Sequence, residues 1–211
     1  MTIVDSTEEL GRRDRKKLET RAALERAALT LVAERGLAGV TVEDIAEAVD
    51  VSSRTFFNYF PSKEDALLGR SPTAEAELIE RLARVPAEVS ALAALRLVLL
   101  DEAERAQERR EEWLLRLKVF EQNPSLLLKL VSGGAEAERR LVAAVAGRLP
   151  EGPSGAAHAE LVTAVALTAF RVAVLRWSTV DTPLAGLVDQ VFSQVAEGLP
   201  DPNPPAEKSA A

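Results

Sequence analysis

Cysteine is absent from the 211 residues, and histidine, tyrosine and methionine occur once each. Without thiols the chain cannot form disulfides, thiolate zinc sites, iron–sulfur clusters or a cysteine nucleophile. A reducing cytoplasm fits that composition. The start, "MTIVDSTEELGRR", lacks the apolar core of a signal peptide. The most apolar long run, "LVTAVALTAFRVAVL" (161–175), is broken by Thr163, Thr168 and Arg171, so it reads as too short and too polar to span a bilayer. The expectation is a soluble, cytoplasmic protein with no membrane partner.

Excess positive charge is missing too. The formal net charge is -7, which argues against attraction of nucleic acid by the whole surface. The charge is nevertheless segregated: "GRRDRKKLETRAALER" (11–26) carries seven Arg or Lys against three acids. A solvated helix face or a local basic footprint accounts equally well for that stretch taken alone.

No period-2 pattern of any length occurs, so the expected class is all-α. Leu24, Ala27, Ala28, Leu31 and Val32 recur on one face of a helix over 14–35, which Gly36 and Gly39 end. Thr41, with Asp44 three residues on, predicts a capped short helix burying Val42, Ile45, Ala46 and Val49. After "FPSKEDALL" and a break at "RSPTAE" (70–75), long helices are expected over 74–84, 87–107, 109–122, 124–149, 156–179 and 183–198. Asn123-Pro124 and Thr182-Pro183 read as an N-cap followed by proline at the first helical position. Each glycine of Gly133-Gly134 costs a helix about 1 kcal/mol relative to Ala, so the sequence leaves open whether the helix breaks there. The Pro-rich end "LPDPNPPAEKSAA" reads as disordered.

Residues 42–60 have the spacing of a helix-turn-helix. Ser52 is a natural N-cap, and Val51 with Phe56 forms a hydrophobic staple across it. Phe56 and Phe60, four apart, share the inner face. At 100° per residue, Arg54 and Asn58 face the other way, flanked by Thr55 and Phe57. Arg pairs bidentately with guanine, Asn with adenine, and an apolar ring meets a thymine methyl. Hydroxyls, Lys63 and the start of the Ser52 helix suit phosphates. A helical hairpin with a solvated outer face has the same pattern, and spacing alone leaves both readings open.

The block "GRRDRKKLETRAALERAALTLVAERGLAGVTVEDIAEAVDVSSRTFFNYFPSKEDALL" resembles the N-terminal domain of the tetracycline-repressor (TetR) family, most plainly in "GLAGVTVEDIAEAV", "VSSRTFFNYF" and "PSKEDALL". The resemblance implies an N-terminal three-helix helix-turn-helix head and a C-terminal helical bundle for ligand binding and dimerisation. The expected division is a flexible arm over 1–12, the head over 13–69, the bundle over 70–199 and a disordered tail over 200–211. Position by position, the resemblance implies phosphate contacts from Thr41, Ser52, Thr55, Tyr59 and Lys63. It implies base-facing roles for Ser53, Arg54, Phe57 and Asn58. Arg15, Lys16 and Lys17 would reach phosphate or an adjacent minor groove. Two positions depart from the family pattern: Asp50 stands at a turn usually made by Gly, and Phe57 stands where many members place a phosphate-binding tyrosine.

By the same resemblance the last two helices, about 156–198, form the interface of a homodimer. Alanines 156, 157, 159, 164, 166, 169 and 173 would permit close approach, and Leu184, Leu187, Val188, Val191 and Val195 form one apolar stripe. Trp113, Arg116, Leu117 and Phe120, with Phe170, Arg171 and Trp177, are candidates for an effector pocket, an arginine among aromatics suiting an acidic group on an apolar ligand. For any single one of these residues the favoured reading is the plainer one, the aromatics as core and the arginines reaching solvent.

Enzyme chemistry has little to work with. His158, the lone histidine, sits at an Ala-rich helix start, and no Glu-x-x-His pair supports a di-iron bundle. "SGGAE" lacks the lysine and spacing of a phosphate loop. Neither a cofactor nor a metal is expected. The sequence reading is a non-enzymatic, homodimeric transcriptional regulator that binds a double-stranded DNA operator. In that reading it is a repressor released from a near-palindromic site by a small apolar or amphipathic effector. The alternative is a helical ligand-binding or interaction protein whose head has lost DNA binding.

Overall fold

The structure, a computed structural model, describes residues 11–69 and 72–200. Most of the expected arm and tail lies outside the described residues. Ten α-helices and a short 3-10 turn, Leu37–Gly39, make up the regular structure, with no strand among the described residues. Contacts divide the chain into two units. One holds the described residues up to Glu75 together with Arg109–Ala135; the other holds Ala76–Glu108 and the described residues from Glu136 onward.

In the first unit, α1 (Arg12–Arg35) packs on α2 (Val42–Glu47) and α4 (Lys63–Leu68), and α3 (Ser53–Phe57) packs on α2. Its core is one apolar cluster, with Leu24, Ala28, Leu29 and Val32 from α1, Ile45 and Ala46 from α2, Phe56 from α3, Phe60 just beyond it, and Ala66 and Leu67 from α4. A later stretch of chain completes it: α7 (Arg110–Gln122) lies against α1 and inserts Val119, and Leu126 follows from α8 (Pro124–Ala146).

Local chemistry sets the helix starts. Thr41 and Asp44 form the expected capping box, each side chain bonding the other's backbone N–H. The Asp44 carboxylate also accepts from the Thr41 hydroxyl, and that bond first and the one from the Thr41 N–H second hold the exposed carboxyl below its ordinary value. Ser52 and Ser62 cap α3 and α4 by accepting the N–H of Thr55 and Asp65. Between α2 and α3 the chain turns at Asp50, whose φ is +55°.

The second unit is built on α6 (Ala91–Glu108), α9 (Pro153–Trp177) and α10 (Leu184–Ala196), which pack pairwise. The expected apolar stripe of α10 is buried at Leu184, Leu187, Val188 and Val191, with Phe192 beside it. Proline provides no side-chain cap for α10; its first N–H, of Leu184, instead meets the Gln107 side chain at 3.2 Å. The start of α6 falls at Ala91, later than the expected 87. Arg148 explains the difference, because its guanidinium donates to the carbonyls of Leu82, Val85, Pro86 and Val89 at 2.7–3.2 Å. It thereby fixes the end of α5 (Pro72–Arg84) and the loop after it in a non-helical path.

The structure bears on two further readings. α8 runs unbroken through Gly133-Gly134, the cost of two glycines being insufficient to interrupt a helix of 23 residues. The run 161–175 belongs to a helix of 25 residues, and α9 as a whole is long and apolar enough to cross a membrane by length and composition. Its Ala159, Val162, Ala166, Ala169, Ala173, Val174 and Trp177 are buried inside the second unit, the pattern of a core helix.

Candidate nucleic-acid interface

Phe56 and Phe60 are both buried, which orients α3 and leaves Arg54, Phe57 and Asn58 exposed on its other side. Phe57 is 54% exposed where Phe56 is fully covered. Ser53 is half-buried at the first position of α3. A short helix whose inner face is aromatic and whose outer face carries a guanidinium, an amide and a ring presents three different ways of contacting base edges.

Most of the residues expected at phosphates already have local work. The Ser52 hydroxyl caps α3 and lies 2.9 Å from that of Thr55. The Thr41 hydroxyl donates to Asp44 at 2.6 Å. Tyr59 is half-buried against the head core, and its carbonyl accepts from Arg21. Lys63 donates to the carbonyls of Leu37 and Val40 at 2.7 and 2.6 Å, tying the turn after α1 to the start of α4. Its ammonium has three donors, so these ties leave one direction for an anion.

Arg15, Lys16 and Lys17 are exposed in the first turns of α1, which begins at Arg12. Cations at a helix N-terminus oppose the helix dipole, each by about 0.3–1 kcal/mol at low salt. A polyanion laid along this end would relieve that repulsion.

Behind this surface is a buried ionic cluster that the sequence reading missed. Glu25 of α1 is flanked by Arg21 at 3.1 Å and by Arg116 of α7 at 3.8 Å, and Arg116 also reaches Glu112 at 3.1 Å. Burial raises the Glu25 carboxyl above its ordinary value, and the neighbouring guanidinium groups of Arg116 and Arg21 oppose that rise. Burial likewise lowers Arg116, against the pull of Glu25 and Glu112. Gly69 ends α4 with a φ of +63°, and a Cβ there would overlap the Arg116 guanidinium. An acid inside the otherwise apolar face of α1 was the available sequence signal.

The effector candidates divide between the two units. Trp113, Arg116, Leu117 and Phe120 stand on α7 in the first; the Arg116 guanidinium lies 5.6 Å from the Trp113 ring centre, and Phe120 packs on the head core. Phe170, Arg171 and Trp177 stand on α9 in the second, half-buried, exposed and fully buried in turn. Two open grooves in the second unit are lined by other residues, one by Arg81, Arg84, Leu97 and Asp101, the other by Ser90, Leu92, Arg96 and Phe192.

Comparison with known proteins follows the same division into head and remainder. The family model for bacterial regulatory proteins of the tetR family matches residues 25–68, and the model for the MftR C-terminal domain matches 89–200, more than half the chain. The chain belongs to the TetR family. It is 33% identical over 144 residues to the transcriptional regulator TcmR of Streptomyces glaucescens, a match covering 65% of this chain and 64% of TcmR. It is 32% identical over 117 residues to the putative mycofactocin biosynthesis regulator MftR of Mycobacterium tuberculosis, covering 53% of this chain and 57% of MftR. The chain thus spans less than two thirds of these relatives. Among solved structures, this TetR-family chain shares its fold with the fatty acid degradation regulator FadR of Bacillus halodurans, with a TM-score of 0.52, 16% identity and coverage of 83% of this chain and 94% of that one. The same holds for NalD of Pseudomonas aeruginosa, with a TM-score of 0.52, 19% identity and coverage of 85% and 96%.

Proposed function

We propose that this TetR-family chain is a DNA-binding transcriptional regulator that acts in the cytoplasm as a homodimeric repressor, released from a near-palindromic operator by a small apolar or amphipathic effector. The observation that carries the reading is the two-sided α3: Phe56 buried with Phe60, and Arg54, Phe57 and Asn58 exposed together. A head that had lost DNA binding would have no use for that outer face. Ser53 joins these three at the bases, while Arg15, Lys16, Lys17, Thr41, Ser52, Thr55, Tyr59 and Lys63 hold the backbone.

Dimerisation is assigned to α9 and α10. Leu161, Val172 and Leu175 are exposed along α9 with Ala164 and Thr168 between them, an apolar strip that a second copy would cover. For the effector the candidates stay separate, the aromatics and arginine of α7 in the first unit and those of α9 in the second.

The test begins with enrichment of duplexes from a random pool by the purified protein, followed by titration of the winner. Nanomolar binding with a palindromic consensus, lost on Asn58→Ala with an unchanged melting curve, is the expected result. Enrichment of nothing above bulk DNA would overturn the reading.

A further inference from the structure

The exposed ring of Phe57 is fixed from behind by a chain of contacts. Its edge meets Phe56 at 5.7 Å with the planes at 89°. Phe56 leans on Phe60 at 5.6 Å, and the Arg21 guanidinium covers the Phe60 ring at 4.2 Å while donating to the Tyr59 carbonyl. Edge-to-face packing of this kind favours one ring orientation over a free rotor. More than half the ring nevertheless stays exposed.

Phenylalanine has neither donor nor acceptor, so it cannot read the nitrogen and oxygen pattern of a base edge. The apolar group presented in the major groove of unmodified DNA is the C5 methyl of thymine. Arg54 and Asn58, beside Phe57 on the same face, have the hydrogen-bonding groups that suit guanine and adenine, leaving that methyl as the feature they do not sense. We propose that Phe57 reads the 5-methyl group of one thymine in the recognition sequence. The proposal rests on the DNA-binding reading above and adds to it a residue that sets specificity.

Replacing thymine by uracil removes that methyl and nothing else. In the enriched duplex each thymine is exchanged singly and affinity measured for the wild type, Phe57→Ala and Phe57→Leu. The expected result is one position where uracil weakens wild-type binding about three- to tenfold, with no such loss in Phe57→Ala and a partial one in Phe57→Leu. At that position a 5-methylcytosine·guanine pair should bind the wild type better than the unmethylated pair. Indifference of the wild type to every uracil overturns the proposal, as does a uracil penalty that survives intact in Phe57→Ala. If Phe57→Ala fails to fold, Phe57→Leu decides: an undiminished uracil penalty there overturns the proposal, and a reduced one supports it. Failure to enrich any duplex removes the DNA-binding reading as well, whereas a tight, methyl-blind complex removes this inference alone.

Discussion

Asp50 sits in the left-handed region with a φ of +55°, where a Cβ is penalised and glycine is not. Asp50→Gly is therefore expected to stabilise the head by about 0.5–1 kcal/mol, visible as a higher melting temperature. A lower one would mean that the carboxylate makes a local bond worth more than the strain. Arg54 and Lys63 separate in a different way. Arg54→Ala should cost about 1–3 kcal/mol at the preferred sequence while leaving the melt and the binding of bulk DNA unchanged. Lys63→Ala should weaken all duplexes and flatten the salt dependence. Because Lys63 also holds two carbonyls, it should destabilise the head by about 1–3 kcal/mol as well. A Lys63→Ala protein with wild-type stability would contradict that structural role. The outer face of α3 was legible in the sequence from spacing alone, since 100° per residue and two inward phenylalanines leave little choice. The use of Lys63 as an internal tie was not, because its carbonyl partners lie 26 and 23 residues away.

Between elements, the junction of α1 with α7 makes the sharpest energetic prediction. Removing one partner of a buried ion pair costs about 3–5 kcal/mol, whereas apolar replacement of both is near neutral. Arg116→Met should therefore destabilise strongly, and Glu25→Leu with Arg116→Met should recover most of the loss. Equal stability of the single and double variants would exclude a coupled pair. The sign of the pH effect follows from burial. Glu25 keeps its proton in the folded state at a pH where the unfolded chain, at the ordinary carboxylate value, has lost it. Stability from this group thus falls as pH rises through the window just above that value and then levels off. Asp44 acts oppositely: its carboxyl is lowered, so its contribution is present above the ordinary carboxylate value and fades on acidification. Comparing Glu25→Gln with the wild type from mildly acid to neutral pH isolates the first effect, and parallel curves would refute it. Periodicity found these helices. It could not find that α7 belongs with α1, because the bonds that join them link residues some ninety positions apart and only the folded chain reveals which charge meets which.

At the scale of the molecule, two recognition helices in a dimer require a site whose half-spacing matches their separation. An effector lowers DNA affinity only by binding better to a state in which those helices are misplaced, and the operator must then weaken effector binding by the same factor, about 5- to 150-fold in typical cases. Titrating a candidate ligand with and without operator, followed by the fluorescence of Trp113 and Trp177, measures that factor directly. Equal affinities would exclude induction by that compound.

α9 has a consequence for how the chain is made. It leaves the ribosome before α10, so a 25-residue segment apolar enough for a bilayer exists for a time without one of the helices that cover it. During that interval the nascent chain presents the same signal as a membrane anchor, and its escape from lipid and from aggregation depends on how soon Leu187, Val188 and Phe192 arrive. A chain ended at Thr182 should accordingly partition into vesicles or pellet, while the full chain stays in the supernatant. A truncated chain that remained dispersed and monomeric would show that α6 and the earlier helices shield α9 unaided.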